Sequence, residues 1–109
     1  MIRCEANGKP LQNSASAYIE YHIRFGNDVA KDLPKPRINA EGKVESDPIP
    51  IYTLLKLYEV FRIAAEPELR SKPTYGVMDE EIDTANAEVM AEVSSAVLRL
   101  LSERSSQKN

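Results

Sequence analysis

The sequence predicts a small, mainly helical α+β domain in which three helices, at about 14–25, 49–65 and 79–103, pack with one or two short β-hairpins. Three observations predict it. Asn7-Gly8 separates two short runs near the N-terminus, residues 51–65 are apolar almost all round a helix, and residues 82–100 repeat apolar side chains at four-three spacing.

The first hairpin rests on alternation of Ile2 and Cys4 with Arg3 and Glu5, followed by Asn7-Gly8, whose residues both tolerate the positive φ of a type I′ turn. Pro10 restricts the returning strand to an edge. Residues 14–25 carry two competing patterns. Ala15, Ala17, Ile19, Tyr21, Ile23 and Phe25 alternate as in a strand. Asn13, Ser16, Glu20, Arg24 and Asn27 instead mark a polar stripe down a helix, Asn13 or Ser14 can cap it, and Gly26 stands where a helix stops. Start, stop and stripe agree on helix.

Leu33-Pro34-Lys35-Pro36-Arg37 must be extended, because each proline fixes its own φ and restricts its predecessor. A second hairpin is expected over 38–44 around Ala40-Glu41-Gly42, pairing with the first to give one small sheet. Asp47 is the expected cap of the middle helix, with Pro48 or Pro50 in its first turn. Ile51, Leu54, Leu55, Tyr58, Phe61 and Ala65 form one face, and Leu57, Val60, Ile63 and Ala64 widen it. Lys56, Glu59 and Arg62 are left as a narrow wet edge, so this helix belongs at the centre. In the last helix, Asp79 to Asp83 complement the positive end of the dipole, and Arg99 and Arg104 the negative end. One globular unit over 1–104 is expected, with 105–109 a frayed polar tail.

Composition excludes several classes. At 109 residues, with 14 basic and 17 acidic side chains, the chain is neither a basic nucleic-acid packager nor a multidomain enzyme. One cysteine forms no internal bridge, and Cys4 reads as a small, half-buried strand residue. Met1 to Glu5 lacks the apolar run of a signal peptide, and no run approaches the roughly 20 residues of a membrane span, so a cytoplasmic setting is expected.

Chemical motifs are sparse. Structural zinc wants four Cys or His ligands, and Cys4 and His22 are the sole examples of each. The four glycines lie far apart and build no phosphate-binding loop, so neither cofactor nor metal is expected. A small enzyme would have to work through His22, which reads better as a packed residue beside Tyr18, Tyr21 and Phe25. A nucleic-acid reading would rest on the same aromatics and the Lys31–Lys43 segment. Charge argues against it, with seven basic and seven acidic groups in the first fifty residues and seven and ten in the rest.

The C-terminal helix carries the functional expectation. Ile82, Asn86, Val89, Val93, Ala96 and Leu100 form a stripe that Met90 and Val97 broaden, and Leu98 projects almost opposite it. Over 79–103 it would reach roughly 37 Å, against roughly 25 Å for the middle helix. Three large aliphatic side chains left bare on the overhang would forfeit on the order of 5–8 kcal/mol. Either the first hairpin or the 67–76 loop covers that end, or a second molecule does. The second choice makes the chain a non-enzymatic interaction protein, a regulator, inhibitor or adaptor. It would self-associate as a homodimer or dock on a protein partner through Val93, Val97, Leu98, Leu100 and Leu101.

Overall fold

The computed structural model describes residues 2–106, with side chains from 2 to 102. In chain order it comprises β1 (Ile2–Ala6), β2 (Lys9–Asn13), α1 (Ala15–Phe25), the single turn α2 (Val29–Asp32), β3 (Arg37–Ile38) and β4 (Val44–Glu45). Then come α3 (Ile51–Ala65), a 3₁₀ turn (Pro67–Ser71), α4 (Gly76–Glu81) and α5 (Ala87–Ser106). The class is the one expected, mainly helical α+β with two small antiparallel hairpins.

The β1–β2 hairpin turns on Asn7 and Gly8, at φ 54° and 75°, the left-handed values that the type I′ turn demands. Its register pairs Ile2 with Asn13 and Cys4 with Leu11. The two hairpins do not merge: β3–β4 forms its own two-stranded sheet, a correction to the single sheet expected. Apart from Asn39, residues 35–48 are exposed, and Ile38 and Val44, paired across the ladder, lie on that open arm.

Helix α3 is the hub. Leu54, Leu57, Tyr58, Val60, Phe61 and Ile63 are buried on it and meet Leu11 of β2, Ala17 and Tyr21 of α1, Val77 of α4, and Val93, Val97 and Leu100 of α5. Its start differs from expectation. Pro50 occupies the cap position, its carbonyl accepting from the amides of Thr53 and Leu54, while Asp47 is drawn away into a fork on Arg37 at 3.1 and 3.2 Å. The wet edge also differs. Lys56 stays partly exposed, but Glu59 and Arg62 are buried.

The long last helix is in fact two helices. Asp83 accepts from the Ala85 amide, and Asn86 Oδ1 accepts from the amides of Glu88 and Val89, capping α5. Short polar side chains that bond their own backbone stop one helix and start the next. Asn86, placed within the apolar stripe by spacing, is therefore the cap of α5. Helix α5 extends to Ser106, and the rest of the tail expected over 105–109 lies outside the described residues.

Candidate interaction surface

The first hairpin lies along α5 and covers it. Glu92 accepts from the Asn7 amide, Cys4 Sγ reaches the Ala96 carbonyl at 3.8 Å, and Asn13 Nδ2 donates to the Leu100 carbonyl at 3.2 Å. Val93, Val97 and Leu100 are fully buried in the chain's own core. Of the five residues proposed from sequence, Leu98 alone is exposed, at 44%, and Leu101 is half-buried. The overhang that required outside cover is closed from within, because the helix break shortens the overhang and the hairpin supplies the cover.

The exposed apolar ridge sits instead on α1. Glu20 and Arg24, the centre of the stripe expected to face water, turn inward. Arg24 spends all five of its N–H donors. Its Nε donates to Glu20 Oε2 at 3.1 Å, Nη1 to Glu59 Oε2 and the Pro73 carbonyl at 3.0 Å, and Nη2 to the carbonyls of Arg70 and Lys72 at 3.0 and 2.8 Å. Glu59, fully buried, also accepts from the amides of Tyr75 at 2.9 Å and Met78 at 3.0 Å. The wet stripes expected on α1 and α3 thus face one another and hold the 70–78 segment between them. Such charges are tolerable in low dielectric because their hydrogen-bonding capacity is met.

A helix that buries its polar stripe must show another face to solvent. Ile19 and Ile23, one turn apart, are 62% and 68% exposed. On one side of this ridge lies a groove of about 510 Å³ bounded by Ile19, Ile23, Arg70, Lys72, Pro73 and Thr74. On the other lies a hollow of about 350 Å³ bounded by Tyr18, Ile19, His22, Ile23 and Asp28. Sequence reasoning missed this face although its signal was present. Period-two apolar spacing on a helix places apolar residues on opposite sides, and Ala17 and Tyr21 take the inside.

A second polar cluster lies one turn further along the same edge of α3 and ties it again to α4. Arg62 donates to Glu81 through Nε at 2.6 Å and Nη2 at 3.1 Å, and through Nη1 to Glu66 and the Pro10 carbonyl. Tyr58 adds its hydroxyl to Glu81 at 2.8 Å. Burial works to raise the Glu81 carboxyl, but the hydrogen bonds from Arg62 and Tyr58, with the Arg62 charge, outweigh it and hold the group below its ordinary value. Burial and the Glu81 hydrogen bond push the Tyr58 phenol well up. Tyr21 behaves alike, through burial and its 2.6 Å bond to Asp32.

The remaining sequence candidates are dispersed. His22 is exposed, not packed among aromatics, and its Nδ1 lies 3.0 Å from Asp28 Oδ1. Tyr21 is buried and packs edge-on to the half-buried Phe25, which tilts against the exposed Tyr75, so Tyr21 and Phe25 pack on other rings of the chain and form no open stacking platform. In the Lys31–Lys43 segment, Lys31, Lys35, Arg37 and Lys43 are exposed, and Arg37 is neutralised by Asp47. Cys4 is half-buried on β1. Among the described residues, no three His, Cys, Asp or Glu come together as a metal-binding group, and no helix is long and apolar enough to cross a membrane. Comparison with known proteins gave no match to a family model, a curated protein or a solved structure.

Proposed function

We propose that the chain is a non-enzymatic protein-interaction module, a regulator, inhibitor or adaptor, that docks through the outer face of α1 and the adjoining 70–74 segment. One observation carries this reading: two large aliphatic side chains stand exposed one turn apart on a rigid helix, with a hollow on either side. A ridge between grooves matches the way side chains of one element seat against another. The ridge is also fixed in place, since the opposite face of α1 is tied to α3 by the Glu20–Arg24–Glu59 network.

The test is photo-crosslinking in the native host, with benzoylphenylalanine replacing either Ile23 or the exposed Ala91 of α5. Discrete protein adducts at position 23 and none at position 91 are expected. Equal adducts at both, or none at 23, would sink the reading.

A further inference from the structure

Resting on that docking reading, we infer that the groove beside Ile19 and Ile23 takes an amphipathic segment of a partner protein that brings a carboxylate to Arg70 along with its apolar side chains. The charged groups of the groove differ in what they have left to offer. Arg24 has no unspent donor. Glu20 gives one oxygen to Arg24 and the other to Arg70 Nε at 3.0 Å, and Lys72 Nζ grips both oxygens of Glu80. Lys72 is left with one N–H, whereas Arg70 keeps a whole guanidinium edge: its side chain is 59% exposed and the side-chain hydrogen bond it makes uses Nε.

Arg70 is also held at both ends. Its carbonyl accepts from Arg24 Nη2, and its guanidinium is anchored by Glu20. A guanidinium fixed along one edge offers its remaining N–H groups in a set direction, which suits the planar, two-oxygen geometry of a carboxylate. The apolar half of the partner is set by Ile19, Ile23 and Pro73, and helical spacing of its anchors would match the one-turn separation of the two isoleucines. A second copy of this chain is the less suitable occupant. An α1 of eleven residues is only about 16 Å long, so a symmetric α1 pair falls short of the roughly 1,200 Å² of stable interfaces.

The experiment displays a library of random peptides of about fifteen residues, selects on the wild-type chain, and measures the winners on Ile23→Asp and Arg70→Ala variants checked for folding by circular dichroism. Winners should carry Asp or Glu within a turn of two apolar residues, and lose about tenfold or more in affinity on each variant. Should Arg70→Ala unfold, salt decides on the wild type: affinity must fall several-fold between roughly 0.05 and 0.5 M. Winners that need Ile23 but are indifferent to Arg70 or salt overturn the acidic partner and leave the docking face standing. Winners that ignore Ile23, or no winners, overturn both. Sedimentation showing wild-type self-association that Ile23→Asp abolishes would make a second copy the occupant and overturn the inference.

Discussion

Arg24 and Glu59 meet at 3.0 Å with the carboxylate wholly out of solvent, although each comes from a stripe that reads as the wet edge of its own helix. The contact joins α1 to α3. Through the Tyr75 and Met78 amides it also positions the start of α4.

Removing Glu59 leaves Arg24 with Glu20 as its one remaining carboxylate partner and two backbone amides without an acceptor. Glu59→Ala should cost about 3–5 kcal/mol in urea unfolding, and Glu59→Gln less, since one amide oxygen remains. Arg24→Met with Glu59→Met should cost clearly less than the sum of the two single changes, because neither charge is then left alone.

The Arg62–Glu81 contact makes stability depend on pH. The Glu81 carboxyl lies below its ordinary 4.5 in the folded chain. Its contribution is therefore complete above the unfolded-state value and is lost as pH falls through the folded one. Wild type and Glu81→Gln should differ in urea midpoint at neutral pH, and the gap should close in acid as Glu81 takes up its proton.

Substitutions along α5 should separate by face. Leu100→Ala empties a fully buried site and should cost about 2–5 kcal/mol. Leu98→Ala, on nearly the opposite face and exposed, should change stability by no more than about 0.5 kcal/mol. Equal losses in thermal unfolding would contradict the hairpin's cover over this helix.

Asn86→Ala removes the side-chain oxygen that caps α5 and should cost about 1 kcal/mol, while Asn86→Asp should keep most of that stability. Thermal melts of the two variants check it.

Much of this fold was legible because local signals agreed. Asn7-Gly8 marked the turn, Gly26 ended α1, and the nearly encircling apolar surface of α3 marked the hub. Polar direction was not legible. Glu20 and Glu59 lie 39 positions apart, and neither sequence neighbourhood shows that the pair will share Arg24, so each looked solvated. That misreading hid Ile19 and Ile23. The break at 82–86 was masked by an apolar spacing that continues across it, although Asp83 and Asn86 are residue types that favour turns and caps. Val93, Val97 and Leu100 were rightly seen as needing cover, but periodicity does not tell which element supplies it.

The clasp of the first hairpin around α5 also bears on how the chain folds. Cys4 meets Ala96 and Asn13 meets Leu100, partners translated some ninety residues apart. A lone two-stranded ribbon is marginal in water, so this hairpin depends on α3, which holds Leu11 and the Pro10 carbonyl, and on α5, which closes over its other strand. Its contacts with α5 join distant parts of the chain, a closure of the long-range kind that slows folding.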